Sequence, residues 1–173
     1  MLFLTVIKIQ VNGGKMKHSV FLSGSWFSPE EEKMLESMKR GLKHNDKVED
    51  VYWCLDSQMD GIDVTKHPEV AAKYSWKIGT YNTDIAGIKS QDIMTVMVVP
   101  GHEDSGASVE MGYASALGKP IILVLPDWAY YPKSKAKINL MVGMVADDVI
   151  PLSCLPTYDF DHIRHHPYDG EVY

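Results

Sequence analysis

Two short apolar runs with a helix-spaced segment between them constrain this chain more than any other feature. Ile93 to Val99 reads IMTVMVV and Ile121 to Leu125 reads IILVL. Neither run alternates regularly with polar residues, so each suits a strand covered on both faces, as strands of a parallel sheet are. Between them, Ser108 to Leu117 sets Val109, Gly112, Tyr113, Ala116 and Leu117 on one helical face, and Gly118 followed by Pro120 supplies the stop. The stretch Asp92 to Asp127 therefore reads as strand, acidic loop, helix, strand. Open α/β sheets bind ligands in loops at the carboxyl ends of their strands. Here that loop carries Glu103, Asp104 and Gly106, with Glu110 in the first helical turn, where the helix dipole favours an ionised carboxylate. A catalytic anion and a plain dipole-matched Glu both fit that spacing.

The same alternation extends along the chain. His18 to Ser23 reads as a strand, and a helix start follows: Ser28 as N-cap, Pro29 at the first helical position and Glu31 completing a capping box. Met34, Leu35, Met38 and Leu42 form its buried stripe, while Glu30, Glu32, Lys33, Lys39 and Lys43 face water. Val51 to Leu55 is a second strand, followed by a polar loop with Gln58 and a turn at Asp60-Gly61. His67-Pro68-Glu69 opens another helix, which Gly79 and Thr80 interrupt, so that Asn82 caps a fresh turn containing Asp84. The interruption bears on function, because an unbroken crossover helix would carry Asp84 toward the wrong end of the sheet. Ile138 to Val145 is a short helix and Val149-Ile150 a fifth strand. This order predicts an α/β domain: a doubly wound, flavodoxin-like, five-stranded parallel sheet with helices on both faces.

Composition narrows the function classes. At 173 residues the chain is read as one domain over 16–173, preceded by an extension over 1–15. The apolar part of that extension, Leu2 to Ile7, is too short to span a membrane, and it lacks the flanks of a secretory signal. A net charge of -6 without a basic stripe argues against nucleic acid as partner. The two cysteines, Cys54 and Cys154, are too few for a disulfide framework, and Cys54 sits in an apolar run as a small core residue would; a reduced, cytoplasmic setting is expected. His162, His165 and His166 lack the companion ligands of a structural zinc site and read as a solvated cluster. GxGxxG after a strand, GxxxxGK[ST] and GxSxG are all missing. Trp26 and Phe27 suit either a hydrophobic staple or a platform for a flat ligand, and the Gln58 amide either water or a heterocycle edge.

Several separated segments together carry a more specific signal. FLSGSWF, YNTDIAGIKSQDIM, EDSGASVEMGYA, INLM and the terminal EVY, in this order over about residues 18 to 173, resemble the nucleoside 2-deoxyribosyltransferase family. The resemblance implies exchange of the base on a 2'-deoxyribonucleoside by double displacement, with purines and pyrimidines both accepted. Glu110 resembles the nucleophile that holds the deoxyribosyl group as an ester, and Asp84 and Asp104 resemble the acids on the base side. A carboxylate can trap an oxocarbenium-like centre while a second carboxyl handles the leaving group's proton. Trp26 and Phe27 resemble the aromatic wall around the base, and Gln58 the amide that contacts it. Asn139 and Tyr173 resemble groups lent by a neighbouring subunit to the sugar hydroxyls, with Met141 packing near sugar or base. The family forms hexamers built from dimers, so a homo-oligomer with shared sites is implied, with no metal or organic cofactor. Glu103 has no counterpart and reads as an exposed loop charge.

One departure stands out. Where better-known members place a Tyr whose hydroxyl contacts the nucleophile, this chain has Phe21. The lost hydrogen bond to a charged partner is worth roughly 1.5–3 kcal/mol, and a changed rate or substrate range is expected. Two alternatives stay open: a 2'-deoxynucleoside 5'-monophosphate N-glycosidase, in which Ser23 and Ser25 would meet phosphate, and a non-catalytic nucleoside-binding module.

Overall fold

The structure, a computed structural model, describes residues 17–58, 61, 62, 64, 66–131 and 136–173. The extension expected over residues 1–15 and Asp60 of the expected turn lie outside these residues. Five strands form one parallel sheet: β1 (His18–Gly24), β2 (Val48–Trp53), β3 (Ile93–Met97), β4 (Ile121–Leu125) and β5 (Asp148–Pro151), in the order β2-β1-β3-β4-β5. This is the flavodoxin-like order, whose switch point lies between β1 and β3. β3 and β4 are buried along their whole length because helices cover both faces.

Side chains alternate across the sheet and divide the core in two. Val20, Leu22, Ile122 and Val124 pack with Leu35, Met38 and Leu42 of α1 (Pro29–His44). Phe21, Met94, Val96 and Leu123 face the other way, toward Ile88 of α3 (Tyr74–Ser90) and Met111 and Ala114 of α4 (Ser105–Ala116). The α1 start is as expected: the Ser28 hydroxyl accepts from the Glu31 N–H, and the Glu31 carboxylate accepts from the Ser28 N–H. Short helices α2 (Pro68–Ala71), α5 (Asp127–Tyr130) and α6 (Leu140–Met144) complete the connections. Among the described residues, no helix is long and apolar enough to cross a membrane.

Three expectations are corrected. The second strand begins at Val48 and stops at Trp53, so Cys54 and Leu55 belong to a 3-10 turn, Cys54–Asp56. The fourth helix begins at Ser105, which puts Glu110 in its second turn rather than its first. The sequence signal was the Asp104 cap, whose carboxylate accepts from the N–H groups of Gly106 and Ala107 at 3.0 and 3.1 Å. The crossover helix is continuous through Gly79 and Thr80, and its break lies earlier, at Ala72 and Lys73. A mid-helix glycine costs only about 1 kcal/mol, and packing against the sheet offsets that here. Asp84 nevertheless stays at the ligand end. A 17-residue helix is about 25 Å long and overhangs a strand of five residues, so a mid-helix residue still reaches the strands' carboxyl edge.

Candidate active site

A pocket of about 340 Å³ opens at the carboxyl ends of β1 and β2 and contains Glu110, Asp84 and Asp104 together. Its volume falls at the lower end of the roughly 300–1,000 Å³ usual for small-molecule sites. Each acid arrives from a different element: Asp84 from the middle of α3, Asp104 as the cap of α4, and Glu110 from the second turn of α4. The close seat of α3 explains the first. A Cβ at Gly87, one turn beyond Asp84, would lie 2.5 Å from the Tyr52 ring, so only glycine lets the helix approach this far. Tyr52 in turn stacks on Phe21, its register partner in β1, with ring centroids 5.3 Å apart.

Glu110 is largely buried, and its Oε2 accepts a hydrogen bond of 2.5 Å from the Ser23 hydroxyl at the end of β1. Burial is the main influence on its acidity, pushing the pKa from 4.5 up to about 7; Ser23 pulls it down, and Asp84 and Asp104 push it up. The ready anion expected from the helix dipole is therefore corrected: Glu110 lies beyond the first turn, where that field fades, and desolvation dominates. Burial likewise raises Asp84, from 3.8 to about 6. Carboxyls lifted toward neutrality in a cleft mark a candidate site for proton and nucleophilic chemistry. Cys54 packs against the core as expected and also lines the pocket, and burial raises its thiol to about 12, which leaves it protonated.

The other walls suit a flat, polar ligand. Trp26 and Phe27 stand side by side with ring centroids 5.2 Å apart and a 32° tilt, and both line the pocket. The Gln58 side-chain oxygen accepts from the Val64 N–H at 3.0 Å, which fixes the amide at the rim. Sequence reasoning missed Ser23 as a partner of Glu110, and it missed Trp76 and Thr80. Trp76 Nε1 and Thr80 Oγ1 are buried without a hydrogen-bond partner among the described residues, and both residues line the pocket. Their four-residue spacing on one helix face was visible, but nothing local said which face meets the site.

Phe21, Asn139, Met141 and Tyr173 do not line this pocket. Phe21, proposed from the resemblance as a substrate-side residue in the tyrosine's place, is 1 % exposed and packed in the core on the same face of β1 as Ser23. Asn139 caps α6, accepting from the N–H groups of Met141 and Val142. Met141 is 73 % exposed. Glu103, expected as a free loop charge, joins these elements: it accepts from the Asn139 N–H at 3.2 Å and from the Tyr173 hydroxyl at 2.6 Å. Glu103 lines a larger, open cleft of about 860 Å³ that adjoins the pocket and shares Phe27, Asp104 and Ser105 with it. His162 and His165 are exposed, as a solvated cluster would be.

The family model described as nucleoside 2-deoxyribosyltransferase matches residues 20–148. A nucleoside deoxyribosyltransferase of Lactobacillus leichmannii is 38% identical over 159 residues, covering 91% of this chain and 99% of that protein. One from Lactobacillus johnsonii is 40% identical over 150 residues, covering 86% and 98%. Among solved structures, a 2-deoxyribosyltransferase of Bacillus psychrosaccharolyticus superposes with a TM-score of 0.70 at 21% identity, covering 87% of this chain and 98% of that one, which shows the shared fold. On the breadth of these matches, the chain belongs to the nucleoside 2-deoxyribosyltransferase family.

Proposed function

We propose that this enzyme exchanges purine and pyrimidine bases on 2'-deoxyribonucleosides by double displacement at Glu110. The observation that carries the reading is the juxtaposition of a buried, hydrogen-bonded Glu110 with two further carboxyl groups beneath an aromatic wall. In the first displacement, a Glu110 oxygen bonds to the anomeric carbon as the carbon–nitrogen bond to the base breaks. The base leaves with the bonding pair and takes a proton from Asp84, which burial holds above the usual carboxyl range; the reactive form, Glu110 ionised beside a protonated Asp84, is the minor of the two singly protonated states. In the second, a nitrogen of the incoming base displaces Glu110 and returns its proton to Asp84. Asp104, with both oxygens accepting from the α4 backbone, acts as an acceptor toward the base. Trp76 Nε1 and Thr80 Oγ1, unpaired in the pocket, supply polar contacts to the base edge.

The sites are completed by neighbouring subunits of an oligomer, in a hexamer as the family resemblance implies. The outer side of α3 supports this, because Tyr74, Ile78 and Tyr81 fall on one exposed stripe, with Val109 exposed on α4 beside it. Clustered exposed apolar side chains of this kind mark a contact face. Asn139, Met141 and Tyr173, outside the pocket of their own protomer, are the groups lent across it.

The test is incubation with thymidine and adenine, with chromatographic detection of deoxyadenosine and Glu110→Ala in parallel. Deoxyadenosine from the wild type alone supports the reading. Free thymine without deoxyadenosine overturns transfer in favour of hydrolysis, and binding without turnover leaves a nucleoside-binding module. A monophosphate N-glycosidase is disfavoured by two features. Ser23 spends its only proton on Glu110, and neither Arg40 nor Arg164 lines the pocket.

A further inference from the structure

A buried carboxylate that must attack a carbon needs a donor to fix its orientation and to favour its ionised form. Phe21, two residues before Ser23 on the same sheet face, offers no polar atom. The neighbouring Tyr52 hydroxyl is directed to the Thr83 carbonyl at 3.3 Å. The Ser23 hydroxyl, by contrast, donates to Glu110 Oε2 at 2.5 Å, within the range of a bond to a charged oxygen. The surroundings hold Ser23 in place. Its backbone pairs with Val96 in the sheet, and its side chain belongs to a residue only 4 % exposed. Gly24 beside it has φ +145°, and a Cβ there would come within 2.9 Å of Leu35 and of the Met97 carbonyl. Only glycine therefore fits at this strand end, where the backbone turns away beside Ser23.

We infer that Ser23 is the positioning residue of the displacement: its hydroxyl anchors one oxygen of Glu110 so that the other is aimed at the anomeric carbon. This rests on the reading of Glu110 as nucleophile. In this chain the role that a tyrosine hydroxyl on β1 would fill passes to a serine one strand-pleat further along. The donor is shorter and closer to the carboxyl edge, and the space beneath it is left to the apolar Phe21–Tyr52 stack. Because the Ser23 hydroxyl favours the anion, its loss makes Glu110 harder to ionise as well as less well aimed.

The experiment compares Ser23→Ala with the wild type in the full chain, with melting temperature as the check on folding. Two readouts are used: base exchange across pH, and the titration of Glu110 followed by carbon-13 NMR of labelled glutamate. The expected result is a kcat at least about tenfold lower, the effect of one charge-assisted hydrogen bond on a rate. The KM for either base stays within about twofold, the pH optimum moves upward, and the Glu110 titration moves to higher pH. An unchanged Glu110 titration, or a kcat within twofold of wild type, overturns the inference. An equal loss at every pH with a raised KM and a lowered melting temperature does so too, since that is structural damage. If the wild type exchanges no bases while the titration still moves, the Ser23–Glu110 contact stands. The functional reading and Ser23's part in the displacement then fall together.

Discussion

Glu110→Gln separates what burial costs this protein from what it enables. The Glu110 pKa rises from 4.5 to about 7 on folding, mainly through desolvation. Between those values the folded protein keeps a proton that the unfolded chain has released. Stability therefore falls as pH rises through the window and remains at the lower level above it. Each tenfold change in proton affinity is worth ~1.4 kcal/mol, so ionised Glu110 costs on the order of 3 kcal/mol at pH ~8. That figure is an upper one, because the pocket admits water. Glutamine keeps the shape and an acceptor for Ser23 but carries no charge. For a chain of this size ~1 kcal/mol corresponds to roughly 2–4 °C, so the variant is expected to melt about 4–10 °C above wild type at pH ~8. Below pH ~4.5 both side chains are neutral and the advantage disappears. Scanning calorimetry across this range gives the difference directly, and pH effects from other groups cancel in it. A melting difference independent of pH, or a wild type that is the more stable at high pH, refutes the account of Glu110 as a desolvated carboxyl. Base exchange is lost in the same variant, the usual relation between a strained site and stability.

Further outcomes follow from the same geometry. With Glu110 titrating near 7 and Asp84 near 6, kcat/KM is expected to be a narrow bell whose two limbs belong to the coupled pair; Asp84→Asn should abolish the alkaline limb, which a pH–rate profile tests. Trp76→Phe removes an unpaired buried donor, so the melting temperature should hold or rise slightly while KM for the base increases about tenfold or more; unchanged KM for every base tested would exclude the indole from recognition. Gly87→Ala forces a Cβ into the Tyr52 ring and should destabilise by about 1–3 kcal/mol and lower kcat by shifting Asp84, both read from denaturant melts and exchange kinetics. Ser28→Ala removes the α1 cap and should cost about 1 kcal/mol with kcat unchanged, a control that stability loss alone does not slow the chemistry.

The sequence by itself determined the parallel sheet and the start of α1, and its motifs singled out the acids. Apolar runs such as Ile121 to Leu125 and the Ser28–Glu31 box act over a few residues, through side-chain period and local hydrogen bonds, and these are legible without a fold. The separated motifs located Glu110, Asp84 and Asp104, and the pocket does bring them together with Trp26, Phe27 and Gln58. What only the tertiary structure decided depends on packing between distant segments. Ser23 and Glu110 are joined by the way α4 lies across β1, and 87 residues separate them. Asp84 reaches the pocket from an unbroken helix because Gly87 lets α3 press onto Tyr52, which no periodicity in α3 announces. Glu103 is tied to Asn139 and Tyr173 because the chain's end returns to Ile138, where Val172 forms a bridge. The altered acidity of Glu110 is the furthest from local reading. A helix position suggests a dipole, but the pKa follows from all that excludes water around the group, and desolvation is a property of the folded whole.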